Sequence, residues 1–327
     1  MSTADDKVRI LAAQDEMPVF QLTLALRSAT ASAWQADTFF GHLCWALLRR
    51  EGEKGLHSFL TLYDQGQPPL VLSNGFPGDL LPRLILPPPM PDPAQSKAVR
   101  IRQARENKDV AQVGYLSLEE FNRVRRGEFV RPKPKAGIRH RVTMKNQISR
   151  LTGTTGGEGQ LYPQEESFVL TDDEGQSRVT FYLRVAPKFL DLFQALVEQV
   201  AQEGYGKRKT VGYGEIADWR LEPFDSFERV TEANGFVSLS NFVPARDDPQ
   251  EGYWQVLVKY GRLGEELATS PNPFKRPLVM LVAGSCFRHT LMRPWYGQLV
   301  HDISPAHPGV VQYGLAFAVP MRFPIAT

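Results

Sequence analysis

Cysteine is nearly absent from this chain of 327 residues: Cys44 and Cys286 are the only two, and no Cys-x-x-Cys exists. That excludes a disulfide scaffold and the common cysteine-based zinc sites. Cys44 falls on an apolar helical pattern and Cys286 in an apolar strand-like run, so both read as buried thiols. The six histidines, at 42, 57, 140, 289, 301 and 307, include no His-x-x-x-His pair. No Gly-x-Ser-x-Gly and no credible Cys-His nucleophile pair is present. No metal and no cofactor is therefore expected. There is no apolar run of about eighteen residues for a membrane span. The polar start, MSTADD, has no apolar core for a signal peptide. Cytoplasmic location and no membrane partner are the expectations. Net charge is only +2, too small for a nonspecific basic coat.

That near-neutral sum hides an asymmetry. Residues 97–150 hold fifteen Lys or Arg against five Asp or Glu. A local basic zone on a near-neutral protein suits a defined polyanion site. A second basic feature is the loop 204–214, Gly-Tyr-Gly-Lys-Arg-Lys-Thr-Val-Gly-Tyr-Gly. Gly204, Gly206, Gly212 and Gly214 surround Lys207, Arg208 and Lys209, with Tyr205 and Tyr213 interleaved. Glycine lets backbone amides approach a ligand closely, and cations add a phosphate term. An amphipathic helix over 187–203 precedes this loop, with Leu190, Phe193, Leu196, Val197 and Val200 on one face. A strand over 215–224 follows. Dinucleotide-binding glycine loops run strand, loop, helix, so this is not a Rossmann loop. Walker spacing is also missing.

At 42% hydrophobic residues the chain can bury a real core. Residues 1–17 read as a flexible tail. Val19 to Arg27 alternates as a strand does. Asp37 is placed to cap a helix carrying Phe40, Leu43, Cys44 and Leu47, which Gly52 interrupts. Leu70 to Ser73 is a short strand, and the proline-rich 77–93 is neither helix interior nor central strand. Residues 94–135 read as a long basic insertion with a helix capped by Ser117. Ile138–Lys145, Leu161–Leu170 and Arg178–Val185 read as strands, with Asp172-Asp173 in a turn. The order βαββαβ over 18–224 predicts a ferredoxin-like, RRM-like α+β domain. A second, smaller unit of the same type is expected over 225–327, with strands at 235–243, 253–260, 277–287 and 312–319.

Within the basic zone, Arg139-His140-Arg141 is followed by Lys145-Asn146-Gln147 and by Arg150-Leu151-Thr152-Gly153. On a strand, Arg139, Arg141, Thr143 and Lys145 share one face. The functional reading is a basic hairpin along a nucleic-acid backbone, with Asn146 and Thr152 as hydrogen-bonding groups. His42 has three readings: a packed histidine, an RNA contact or a general base.

Several segments resemble the RAMP superfamily of CRISPR proteins, and within it the family of the fourth Csm subunit of type III-A effector complexes. They occur in order: Asp37-Thr38-Phe39-Phe40-Gly41-His42-Leu43-Cys44-Trp45-Ala46; Leu70 to Pro77 with Leu81-Pro82-Arg83; Tyr115 to Phe121; Arg150 to Thr154 with Gly159-Gln160-Leu161-Tyr162; and the loop 204–214. Pro277 to Phe287 and Gln312-Tyr313-Gly314 extend the likeness thinly. Ser149 departs from the asparagine that many relatives carry there. The resemblance implies two RRM-like folds and a thumb-like β-hairpin that helps kink the guide–target RNA duplex. It implies a non-catalytic subunit that holds the 5′ handle of the crRNA. Its implied neighbours are the large polymerase/cyclase-type subunit and a Csm backbone subunit. Two alternatives stay open: a metal-independent crRNA-processing endoribonuclease using His42, and the equivalent subunit of another type III complex.

Overall fold

The computed structural model describes residues 17–88, 94–135, 137–146, 148–155, 161–171 and 175–324. The tail before Met17, Pro89 and Pro91, glycines 156, 157 and 159, and Asp172-Asp173 lie outside the described residues. Strand β1 (Val19–Leu26) alternates and buries Leu22 and Leu24 completely. Helix α1 (Ala36–Asp64) buries Phe39, Phe40, Leu43 and Leu47. It bends at Gly52, whose φ of 72° lies in the left-handed region that glycine tolerates.

The expected Asp37 cap is not made. The cap position is Gln35, and Asp37 lies in the first turn. Asn74 Oδ1 accepts from the Ala36 amide at 3.0 Å and satisfies an orphan donor of that turn. The Asp37 carboxylate instead pairs with Lys259 and accepts from Gln312. A partner distant in sequence has displaced the local one.

Strand β2 (Leu70–Pro77) runs past Ser73, where the sequence pattern had ended it. Gly75 allows this, because a Cβ there would stand 2.6–2.8 Å from Val179 and Phe181. Strand β3 (Leu81–Pro82) pairs with β4 (Tyr115–Leu116). Between them lies helix α2 (Lys97–Gln112), which buries no residue. Helix α3 (Leu118–Arg125) starts at the expected Ser117, in a reciprocal capping box with Glu120. Strands β5 (Ile138–Asn146) and β6 (Leu161–Val169) form a separate antiparallel hairpin. Strand β7 (Arg178–Val185), helix α4 (Leu190–Glu203) and strand β8 (Ile216–Pro223) follow. Helix α4 buries Phe193, Leu196, Val197 and Val200, the face its spacing predicts.

One antiparallel sheet has the order β2-β7-β1-β8. The first and last strands thus lie side by side, and β7 inserts between β1 and β2. Nearly every residue of β7 is buried. A strand interior to a sheet and covered on both faces loses its alternation.

Beyond residue 225 the pattern differs from the expectation. Strands β9 (Gly235–Ser238), β10 (Gly252–Tyr253), β11 (Val256–Lys259), β12 (Leu278–Leu281), β13 (Cys286–Arg288), β14 (Trp295–Gly297) and β15 (Leu315–Met321) are present, with one 3-10 turn, Glu265–Thr269. Among the described residues this segment has no α-helix, whereas a ferredoxin-like unit carries two. The runs expected at 253–260 and 277–287 each split between a five-stranded sheet, β10-β13-β9-β15-β14, and a β11–β12 pair. Gly284, with φ 93°, turns the second run; a Cβ there would meet the Arg83 carbonyl at 2.4 Å.

One buried cluster joins Leu24, Phe181 and Tyr182 of the first sheet to Val237, Phe317 and Met321 of the second. Arg125 of α3 is fastened there too, donating to the Pro320 and Glu228 carbonyls at 2.7 and 2.9 Å. Burial lowers its guanidinium to about 10. Among the described residues no helix is long and apolar enough to cross a membrane.

Candidate nucleic-acid interface

The loop 204–214 closes the path from α4 to β8. Its tightness comes from Gly206 and Gly214. A Cβ on Gly214 would lie 1.9 Å from the Tyr205 carbonyl oxygen, and one on Gly206 would lie 2.8 Å from Ser32. The amides of the four glycines are spent inside the protein. Gly204 donates to Val200 O, Gly212 to Lys209 O and Gly214 to Ala29 O. The Gly206 amide donates to His42 Nε2 at 2.9 Å. The glycines therefore shape the loop and do not offer these amides to a phosphate. This corrects the cradle expected from their spacing.

Tyr205 is fully buried. Its ring stacks on Trp34 at 4.0 Å, and its hydroxyl donates to Ala33 O at 2.6 Å. It braces the turn and offers no face to a base. His42 Nε2 accepts a hydrogen bond, so in this geometry it carries no proton. Burial first, then Lys209, lowers the imidazole to about 4. His42 positions the loop; it is not presented as an RNA contact or a general base.

The three adjacent cations have different fates. Lys209 turns inward, with only 14% of its side chain exposed, and pairs with Glu203 at 3.2 Å and Glu265 at 2.6 Å. Arg49 joins the same two carboxylates at 2.6 and 2.9 Å. Burial alone would raise the Glu203 carboxyl, but hydrogen bonds from Arg49, Gln199 and Lys209 hold it down at about 2. Lys207 stays exposed, its amide donating to Ser32 Oγ at 2.9 Å. Arg208 is exposed, and its guanidinium reaches the β5–β6 hairpin, donating to Gln164 Oε1 at 2.5 Å near the Tyr162 ring.

That contact joins the two basic segments. The register pairs Arg139 with Phe168, Arg141 with Glu166, Thr143 with Gln164 and Lys145 with Tyr162, so these eight side chains share one face. Glu166 is the hub. Its carboxylate is 3% exposed and accepts from Tyr213 Oη at 2.5 Å and from Arg141 Nη2 at 2.6 Å. These hydrogen bonds, Tyr213 first, hold the carboxyl below its ordinary range. Tyr213 also accepts from Gln164 at 2.6 Å. Its hydroxyl is thus a strut between loop and hairpin. A Thr30–Ser167 bridge fixes the hairpin base, with amide-to-carbonyl distances of 2.9 and 2.8 Å.

The structure therefore brings together Arg139, Arg141, Lys145, Arg208 and Tyr213. Asn146 alternates onto the opposite hairpin face, with Val142 and Met144, which are 61% and 55% exposed. Arg150 and Thr152 are exposed beyond the end of β5, and Thr152 bonds to Thr154. Beside the loop lies an open cavity of about 320 Å³, with Ser32, Trp34, Asn74, Tyr115, His140 and Asn241 in its wall. Sequence reasoning missed Ser32, Gln164 and Glu166. The one available signal was an acidic pair, Glu165-Glu166, inside an otherwise basic, alternating hairpin.

No family model matches the sequence, and no curated protein matches it significantly. Solved structures do match in fold. A chain of a Csm1-Csm4 cassette in complex with cA4 is 16% identical, with a TM-score of 0.61. The match covers 94% of this chain and 100% of that one. A chain of a Csm3-Csm4 subcomplex in the type III-A CRISPR-Cas interference complex is 13% identical, with a TM-score of 0.62 and the same coverages. A third, from a Csm1-Csm4 cassette in complex with AMPPNP, has a TM-score of 0.60 at 16% identity. At these identities the likeness is one of fold, and it spans nearly the whole molecule.

Proposed function

We propose that this chain is an RNA-binding, non-catalytic RAMP subunit of a type III-A CRISPR effector complex, in the position Csm4 occupies. The observation that carries this reading is the end-to-end fold likeness to chains from two different Csm4-containing assemblies. The strand order β2-β7-β1-β8, threaded strand-helix-strand twice, supports a ferredoxin-like first domain over 18–224. Its ligand is the crRNA 5′ handle, its neighbours are a Csm1-like and a Csm3-like subunit, and it works in the cytoplasm. The β5–β6 hairpin is its thumb. Lys207, Arg208, Arg139, Arg141 and Lys145 neutralise backbone phosphates, while Glu166 and Tyr213 hold the two cationic elements in register. A non-catalytic role agrees with His42, whose Nε2 is occupied by the Gly206 amide.

The test is crRNA binding by the full chain across a salt titration. Replacing Lys207 and Arg208 with alanine is expected to weaken binding and to lower the slope of log K against log salt by roughly 1.4, at about 0.7 for each phosphate no longer neutralised. Binding that keeps its wild-type slope in that variant refutes the assigned site. Site-specific cleavage of repeat RNA by purified protein, abolished in His42→Ala, refutes the non-catalytic reading.

A further inference from the structure

Helix α2 is absent from the site above, and its residues have an unusual distribution. Ser96 caps it, accepting from the Val99 amide, and no residue in it is buried. Val99, Gln103, Glu106, Asn107 and Val110 are half-buried and recur at three- and four-residue spacing. They form the side turned toward the body of the protein. The opposite side is exposed and presents Lys97, Arg105 and Lys108, with Arg100 exposed at its edge, in line with Asn107. Among the described residues none of these four makes an ion pair. The acid Glu106 is engaged elsewhere, with Arg102 at 3.7 Å and Arg131 at 2.9 Å. Asp109 is the other acid of the helix and borders the cationic side.

A helix of this kind has no reason of its own to be cationic on one side. Like charges at short helical spacing repel and destabilise it. Protein interfaces are built around aromatic, apolar or arginine anchors in a desolvated core and are depleted in lysine, which supplies half of these cations. The exposed side offers only Ile101, 45% exposed, and Ala104. Lys97 and Lys108 are eleven residues apart, about 16 Å along the axis. That length suits several successive phosphates of one strand.

We infer that the Lys97–Arg100–Arg105–Lys108 side of α2 is a second, sequence-independent contact for a nucleic-acid phosphodiester backbone, separate from the loop–hairpin face. That the nucleic acid is RNA rests on the function proposed above; the contact itself rests on the helix. Its ligand is backbone phosphate of a single strand or of a duplex. Recognition is mainly by charge, because the exposed side holds no aromatic residue; its amide side chain, Gln112, lies in line with Arg105 and Lys108 at the last residue of the helix.

The test uses the full chain and fluorescence anisotropy with two probes of equal length, a single-stranded RNA and an RNA duplex, over a range of salt. Two variants are compared with wild type: Lys97→Gln/Arg100→Gln/Arg105→Gln/Lys108→Gln, and Lys207→Ala/Arg208→Ala. The helix variant is expected to lower the salt slope by roughly 3, at 0.7–0.9 per phosphate, on the probe that contacts it. The probe showing the larger loss identifies single strand or duplex as the source. Lys97→Arg/Lys108→Arg is expected to bind as wild type, which separates charge from any effect on the helix. An unchanged slope in the helix variant, with a reduced slope in the loop variant, overturns this inference and leaves the proposed function standing. A loss confined to the helix variant supports it while refuting the loop site. Wild-type behaviour in both variants overturns both.

Discussion

The loop 204–214 and helix α2 are both basic, yet they use their charge in opposite ways. In the loop, Lys209 is held by Glu203 and Glu265, and Arg208 is tied to Gln164. In α2, four cations face solvent with no ion pair among the described residues. The loop is rigid because its glycines admit close backbone approach and its polar groups find partners. The helix is held by its cap, its internal ladder and one half-buried side. Two equally basic stretches can therefore differ completely in available charge. In the loop, charge has become architecture, and only Lys207 and one edge of Arg208 remain for a ligand.

This contrast can be broken in the loop first. Gly214→Ala would place a Cβ 1.9 Å from the Tyr205 carbonyl, at a φ of 65°. A loss of about 3 kcal/mol or more in urea unfolding is expected. Gly212→Ala, with φ 89° but open space around it, is expected to cost only about 1 kcal/mol. Equal effects at the two sites would show that close approach is not what the loop depends on.

The hinge between loop and hairpin comes next. Glu166→Gln keeps the side-chain shape but removes the charge that Arg141 and Tyr213 address. About 2 kcal/mol is expected, since hydrogen bonds to charged groups contribute about 1.5–3 kcal/mol. Hydrogen exchange should rise in both β5 and the loop. A rise confined to one of them would separate the two elements.

Acid should loosen the loop before the rest of the fold. His42 is depressed from 6.5 to about 4, so folding selects its neutral form. The stability it contributes is present above about pH 6.5 and is lost as pH falls toward 4. Between pH 7 and pH 5 the expected loss is on the order of 1–2 kcal/mol, discounted for partial exposure. It should be read as exchange at residues 204–208 and should vanish in a His42→Gln variant.

The smallest effects compare neighbouring lysines. Lys209→Ala removes one of two cations between Glu203 and Glu265 and is expected to cost about 1 kcal/mol. Lys207→Ala, like Lys108→Gln in α2, should stay within about 0.5 kcal/mol by thermal unfolding. A cost at Lys108 equal to that at Lys209 would erase the distinction between the regions.

Much of the fold was legible in the chain. The buried face of α4, the Ser117 cap and the two strands of the hairpin follow from spacing and local chemistry, and all are present. Asp37 was misread because its carboxylate found Lys259 and Gln312, more than 200 residues away in the chain. The runs at 253–260 and 277–287 looked continuous because apolar patterning cannot reveal that a strand leaves one sheet for another. Tyr205 and Tyr213 look alike in the glycine loop, but one is packed on Trp34 and the other bonds to Glu166.

By itself the sequence determined the helices other than α2, which buries no residue and so shows no apolar periodicity, most strands, the helix-loop-strand setting of residues 204–214 and the concentration of charge between 97 and 150. These depend on neighbours a few residues apart, through backbone propensity and periodic burial. Only the tertiary structure decided which charges are free, which histidine is a brace and which face of the hairpin meets the loop. Those outcomes depend on partners far apart in the chain: 44 residues from Arg208 to Gln164, 164 from Gly206 to His42 and 175 from Lys207 to Ser32. A hydrogen bond or ion pair between distant segments forms only where folding has already brought those segments together, so no local pattern can announce it.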